Sequence, residues 1–254
     1  MYLYLYDSFL NSPKYQKIVD KIESRLTDLG ISGKVARLTI IKNTAEIIKD
    51  ALRKDIQTIV VVGRDVLFCE AASALVNQSA VLGFIPVGQS LFGKILGLSS
   101  EEFGCEVVSG RRIKLLDAGK INNQYFLSSV SVLEHKVDIR CEGSYKVNLV
   151  SVRNLKINNL DFFNDPKNNQ PKVSNPFDGL LETVLSFKSK SFWPFSKRKE
   201  YQDSIFYIKK IAINSKKGEE IPILVDKERV LKTPAEIEVV PEAIKIIVGK
   251  ERLV

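Results

Sequence analysis

Thr58-Ile-Val-Val-Val-Gly-Arg-Asp-Val-Leu67 and Val81-Leu-Gly-Phe-Ile-Pro-Val-Gly88 decide how this chain is read. Each is an apolar, β-branched run that breaks at a glycine and leads into a helical pattern. Continuous apolar strands of this kind belong to a parallel sheet buried on both faces. A buried strand that stops at a tight turn before a helix N-terminus is the arrangement that cradles phosphates. Here bulky residues, Arg64, Val66 and Leu67, stand in that turn.

Working outward, residues 1 to about 98 alternate strands and helices. Tyr2 to Tyr6 is strand-like. Ser12 and Pro13 make an N-cap and first-turn pair, and Tyr15, Ile18, Val19, Ile22, Leu26 and Leu29 fall on one helical face that ends at Gly30. Val35 to Ile41 reads as a strand, and Asn43 with Glu46 opens a helix carrying Ile47, Ile48, Ala51 and Leu52. Thr58 to Val62 and Val81 to Ile85 are strands around a helix at Val66 to Asn77. Such alternation implies a parallel sheet with helices on both faces.

From about residue 110 the texture changes to short strand-like runs with polar turns. They are Arg111 to Ala118, Gln124 to Val132, Lys136 to Cys141, Tyr145 to Val152, Leu180 to Phe187, Ile205 to Ile213, Ile221 to Val225, Ala235 to Val240 and Ile244 to Val248. Many short strands without helical period indicate an antiparallel sandwich or barrel. The expected organisation is a three-layer α/β domain over residues 1–110 and an antiparallel β-sandwich domain over 111–254. The last residues are candidates to pack back on the first domain, and the crevice between the domains is the default site.

The 254 residues are 44% hydrophobic and 27% charged, ordinary for a soluble globular protein. No apolar run approaches the roughly 20 residues that span a bilayer. The start, Met1 to Tyr6, reads as a strand and not as a signal peptide. Cys69, Cys105 and Cys141 lack metal-ligand spacing and read as buried thiols of a reducing, cytoplasmic compartment. His135 is the sole histidine, which excludes multi-histidine zinc sites and leaves Ser-His or Cys-His catalysis one candidate. The net charge of +8 favours an anionic partner or serves solubility alone.

The order of these elements resembles the diacylglycerol kinase catalytic-domain family, bacterial lipid kinases related to NAD kinases and sphingosine kinases. Val60-Val-Val-Gly-Arg-Asp-Val-Leu67 stands where that family has a strand and Gly-Gly-Asp-Gly-Thr. Leu82-Gly-Phe-Ile-Pro-Val-Gly88 is similar to its Leu-Gly-Ile-Ile-Pro-Leu-Gly, and Lys94 to Leu98 to a downstream helix end. Leu116 to Phe126 is similar to the hairpin opening its β domain, Phe177-Asp-Gly-Leu-Leu181 to its Asp-Asp-Gly-Leu-Leu, and Val225-Asp-Lys-Glu228 to its Val-Asp-Gly-Glu.

The resemblance implies ATP- and magnesium-dependent transfer of the γ-phosphoryl to a lipid or other hydroxyl acceptor, chemistry that relies on positioning and charge neutralisation. It implies nucleotide contacts at Gly63, Arg64, Asp65, Gly88, Gln89 and Ser90, with Asp65 also near the metal. It implies a metal position at Asp178 with the carbonyls of Asn175 and Leu180, and a base at Asp226 or Glu228. Three nucleotide loops depart from the family. Arg64, Val66 and Leu67 replace two glycines and a threonine, Gln89 and Ser90 replace a Thr-x-Asn-Asp stretch, and Asp7-Ser-Phe-Leu-Asn11 stands for Asn-Pro-x-Ser-Gly.

Each position has a plainer alternative. Arg64 either meets phosphate oxygens in bidentate fashion or is a surface arginine at a strand end. Gln89 and Ser90 either bind a ligand or cap a helix, and Asp178 is either a metal ligand or a turn aspartate. Asp226 and Glu228, if in a strand, share a face with Lys227 opposite; alternatively they are exposed hairpin carboxylates.

Lys188 to Lys199 holds five basic residues, three aromatics and no acid. Phe192, Trp193, Lys197 and Arg198 there suit peripheral contact with an anionic membrane at its inner surface, or form a plain interstrand loop. Nucleic acid is not an expected partner, since one short loop makes a poor groove, and a homodimer is plausible. Two functions follow: a lipid kinase, or a kinase-fold protein that binds lipid, membrane or another anionic ligand without turnover.

Overall fold

Val and Ile restrict χ1 and pack well on a pleated surface, so β-branched runs favour extended backbone. Thr58–Gly63 and Val81–Pro86 form strands buried along their whole length. The computed structural model describes residues 1–39, 43–133, 137–141, 145–148, 152–165, 170–187, 203–215 and 218–254. His135 and the membrane-contact candidates Phe192, Trp193, Lys197 and Arg198 lie outside the described residues. The chain divides into two units, Met1–Leu116 with Glu242–Val254, and Asp117–Pro241.

In the first unit, β1 (Tyr2–Tyr6), β2 (Lys34–Arg37), β3 (Thr58–Gly63) and β4 (Val81–Pro86) pair in parallel in the order β2-β1-β3-β4. Lys245 and Ile246 add a further parallel strand beside β4. The helices are α1 (Gln16–Asp28), α2 (Thr44–Arg53), α3 (Asp65–Ala74), α4 (Leu91–Leu96) and α5 (Glu101–Gly110). Strand periodicity sorts the side chains to two faces. Tyr4, Tyr6, Val60 and Val62 pack on Val19, Ile22 and Leu26 of α1 and on Cys105 and Val108 of α5. On the other face Phe84 stacks on Phe68 of α3, ring centroids 4.4 Å apart, and Phe68 meets Phe92 of α4. Helices therefore cover both faces, as the alternation implied; each buried large apolar side chain contributes roughly 1.5–3 kcal/mol. Asn43 caps α2 by accepting from the Ala45 N–H at 2.9 Å. Helix α5, which starts from the Ser100 cap, was not foreseen, because Gly104 and Gly110 blur its period.

Among the described residues, the strands that form the sheets of the second unit pair in antiparallel fashion. A six-stranded sheet is formed in the order β14 (Asp203–Ile208), β13 (Leu181–Phe187), β10 (Val152–Asn158), β7 (Ser129–Leu133), β16 (Pro222–Val225), β17 (Arg229–Lys232). Elsewhere β15 (Lys210–Ser215) pairs with residues 235–238 of β18 (Ala235–Ile247) and with β8 (Val137–Cys141), which pairs β9 (Tyr145–Asn148). β5 (Ile113–Ile121) makes a hairpin with β6 (Gln124–Phe126), and β11 (Phe162–Asn164) pairs β12 (Pro171–Val173). Val130, Leu155, Ile157 and Ile223 from the six-stranded sheet pack on Ile139, Ile211, Ile213 and Ile237, which is the core of a sandwich.

Several strand limits differ from the sequence reading. Gln124 to Val132 is two strands, because the Leu127 and Ser128 N–H groups turn away to a side chain. β10 runs through Asn154 to Asn158, beyond the expected end at Val152, and Ala235–Ile247 is one long strand instead of two. Cys69 and Cys105 are buried as expected, whereas Cys141 is half-buried. Among the described residues no helix is long and apolar enough to cross a membrane.

Gly63 shows how tightly β1 and β3 end together. Its φ is +152°, and a Cβ there would lie 2.4 Å from Asp7 Cβ. Gly63→Ala is expected to lower unfolding stability by about 1–3 kcal/mol. Chemical denaturation with an unchanged midpoint would overturn this.

Candidate functional site

The nominated residues fall in both units. In the first, the turn after β3 is remodelled. Arg64 has extended backbone, with φ −94° and ψ 164°, and α3 begins at once with Asp65. There is no glycine cradle of inward N–H groups. Asp7, at the end of β1, is 4% exposed, and its carboxylate takes the Arg64 side chain in a fork: Nε donates to Oδ2 at 2.8 Å and Nη2 to Oδ1 at 2.9 Å. The Arg64 backbone N–H adds a bond to Oδ2 at 3.3 Å. The guanidinium carbon lies 4.8 Å from the Phe9 ring centroid. Arg64 thus meets a carboxylate of its own chain in the bidentate manner considered for phosphate.

Asp65 is also engaged internally. Its Oδ1 accepts from the Ser90 hydroxyl, and its Oδ2 accepts from the Leu91 N–H at 2.7 Å. Ser90 in turn accepts from the Gly93 N–H at 2.7 Å, so Asp65 and Ser90 together fix the first turn of α4. Gly88, with φ +84°, donates weakly to Glu101 Oε1 at 3.4 Å, and Gln89 is exposed. Beside these loops opens a cavity of about 590 Å³ whose wall includes Phe9, Lys14, Tyr15, Arg64, Gln89 and Glu101. Its size suits a small molecule. A nucleotide triphosphate does not fit the loop chemistry: both charged groups of the turn are already satisfied, and Val66 and Leu67 offer no hydroxyl.

In the second unit, Asp226 to Glu228 form the turn between β16 and β17, not a strand. The shared-face geometry expected for Asp226 and Glu228 is therefore replaced. Asp226, with φ 50°, is buried; Lys227, with φ 65°, and Glu228 are exposed. Asp226 Oδ1 accepts from the Ser128 N–H at 2.7 Å and the Leu127 N–H at 3.1 Å, and Oδ2 from Arg229 Nη2 at 3.0 Å. Burial pushes its carboxyl above the usual range, and the hydrogen bonds and Arg229 only partly offset this.

Lys227 turns to Asp161, a buried carboxylate that sequence reading missed. Asp161 Oδ1 accepts from Lys227 Nζ at 3.0 Å, and Oδ2 from Lys156 Nζ at 2.9 Å and Ser129 Oγ at 2.9 Å. Burial opposes its charge, but the two lysines outweigh burial and hold it below the usual carboxylate range. The one available signal was an aspartate set between the apolar residues Leu160 and Phe162.

The candidate metal position is occupied by a hydrogen-bonded turn. Asp178 Oδ1 accepts from the Leu180 N–H at 3.0 Å, and Oδ2 from Asn175 Nδ2 at 3.2 Å. A hard cation needs those oxygens and repels the amide protons facing them, so the donor set here does not fit magnesium. Among the described residues no group of three or more His, Cys, Asp or Glu is placed to hold a metal ion. The turn is bolted down by Asp117, whose Oδ2 accepts from the Gly179 N–H at 2.7 Å, and by Glu182, whose Oε1 accepts from the Asn175 N–H at 2.8 Å.

The parallel α/β unit and the antiparallel β unit together define the two-domain fold of diacylglycerol kinases and NAD kinases. No protein-family model matches the sequence, and no curated protein matches it. The chain is similar to a diacylglycerol kinase from Bacillus anthracis str. Sterne, at 18% identity and a TM-score of 0.79, over 100% of this chain and 98% of that one. It is more distantly similar to an NAD kinase from Archaeoglobus fulgidus solved in complex with ATP, at 14% identity and a TM-score of 0.60, over 100% of this chain and 96% of that one. At these identities the likeness establishes a kinase-like fold.

Glu182 gives the second unit a pH dependence. Burial raises its pKa from 4.5 to about 7. Between those values the folded state holds a proton that the unfolded state releases. The contribution to stability is therefore largest below pH 4.5, falls as pH rises to 7, and is flat above. The loss is on the order of 3 kcal/mol. Glu182→Gln is expected to remove that fall and to be more stable than the parent at pH 8. Denaturant titrations at pH 4.5 and 8 check this; an unchanged pH slope in the variant overturns it.

Proposed function

We propose that this kinase-fold protein binds ligands without transferring a γ-phosphoryl group. One observation carries the reading: the two charged side chains of the phosphate turn, Arg64 and Asp65, are committed inside the protein, one to Asp7 and one to the start of α4. Phosphoryl transfer depends on groups that neutralise charge developing on the transferred phosphate. Neither is available here without breaking a bond that the fold uses. The partners retained by this reading are a lipid or other hydroxyl-bearing ligand at the second unit and an anionic membrane surface met by the segment around Phe192, Trp193, Lys197 and Arg198.

A second reading, transfer with Asp226 as base, is favoured by one feature. Burial raises the Asp226 carboxyl, and a base is most effective when its pKa lies near the working pH. Against it, both oxygens of Asp226 already accept protein hydrogens.

Labelled ATP with Mg²⁺ and diacylglycerol in mixed vesicles separates the two. The expected result is no labelled lipid above background. Transfer that is present in the parent and lost in Asp226→Asn would establish the second reading and overturn the first. Vesicle flotation tests the surface: Trp193→Ala is expected to weaken binding to phosphatidylglycerol vesicles several-fold, about the loss of one interfacial aromatic. Binding indifferent to the change and to vesicle charge would remove the membrane from the proposal.

A further inference from the structure

Positions 7 and 64 both depart from the pattern that the chain resembles, one carrying Asp for Asn and the other Arg for Gly. They are 57 residues apart in sequence and form one forked ion pair. Asp7 alone would be a buried carboxylate without a counter-charge, and the half-exposed Arg64 supplies that charge. Together they cancel. Arg64 lines the first unit's cavity, lying against Phe9, and Asp7 holds it from the buried end of β1.

The remaining wall has the same character. Lys14, which lies over the Tyr15 ring, and Glu101 bring one charge of each sign to the wall. The Phe9 and Tyr15 rings meet edge to face, 4.8 Å apart at 84°, and form an aromatic corner. Gln89 offers both a donor and an acceptor to the edge of a flat ring. A polyphosphate carries several negative charges and requires surplus cations; an uncharged ring requires an apolar corner and a few hydrogen bonds.

We propose that the Asp7–Arg64 pair sets the ligand class of this cavity, admitting an uncharged ring compound of nucleoside size and excluding polyphosphates. The inference rests on the reading that the protein does not transfer phosphate, and it names what the site takes instead. Asp7 is then a specificity residue, acting by holding Arg64 neutralised.

The test is calorimetric titration of the full chain with adenosine and, separately, with inorganic tripolyphosphate. The parent protein is expected to bind adenosine and not tripolyphosphate. Asp7→Asn keeps the side-chain shape and releases the guanidinium, and tripolyphosphate binding is expected to rise by at least about tenfold, as befits a freed bidentate cation. The double variant Asp7→Asn, Arg64→Gly should lose the gain, which a structural disturbance at Asp7 alone does not predict.

Tripolyphosphate binding equal in the parent and Asp7→Asn overturns the proposal. If Asp7→Asn fails to fold, the parent still decides: tighter binding of tripolyphosphate than of adenosine overturns it, and the reverse order supports it. Phosphate transfer by the parent would instead sink the reading of the preceding subsection, whichever ligand is preferred.

Discussion

The fork between Arg64 and Asp7 is the contact on which the first unit's functional end depends. Asp7 is almost fully withdrawn from water, and an unpaired carboxylate there would cost several kcal/mol. The Arg64 side chain is 56% exposed, so the direct attraction is screened and modest. The asymmetry means that the pair matters chiefly as compensation. Asp7 can be buried only because Arg64 reaches it, and β3 can approach only because Gly63 has no Cβ. The end of β1, the end of β3 and the start of α3 are thereby fixed as one block. Asp65 extends that block to α4.

The second unit uses buried carboxylates in the same way. Asp226 gathers two N–H groups from the segment before β7 and the guanidinium of Arg229, while Asp161 gathers Lys156 and Lys227. Asp226 and Lys227 both adopt positive φ, a conformation that costs a side chain on the order of 1 kcal/mol or more. Glycine would remove that cost at position 227. The Lys227 to Asp161 bond offsets it and ties the turn to the neighbouring segment. A residue that looks unfavourable by local conformation is thus explained by a partner 66 residues earlier in the sequence.

This contrast separates what the sequence reveals from what it conceals. Local signals were legible: the apolar runs at 58–62 and 81–85, the Asn43 cap, and the switch from helix-strand alternation to short strands all appear in the structure. Strand limits were less so, because Asn154 and Lys209 interrupt an apolar pattern without, or with, breaking a strand, and only pairing decides which. At the site, Gly63 and Asp226 both adopt positive φ, but the contacts that hold them there are hidden from the sequence. Asp7 and Asp161 owe their burial to residues distant in the chain, and no window of sequence contains both halves of either pair.

The same reasoning changes how departures from a related pattern are weighed. Taken singly, Arg64 looks like damage to a phosphate turn, and Asp7 like an indifferent change in a loop. Taken as a pair, they form a neutral, geometrically specific unit that commits the guanidinium within the fold. Random loss of a binding loop leaves unsatisfied charges or strain behind. Here the backbone has closed directly into a helix, both charges of the turn have partners at hydrogen-bond distance, and the adjoining cavity remains open. That combination is what the proposed ligand class requires: a turn whose charges are committed within the fold, the fold around it intact, and a walled space available to a small molecule.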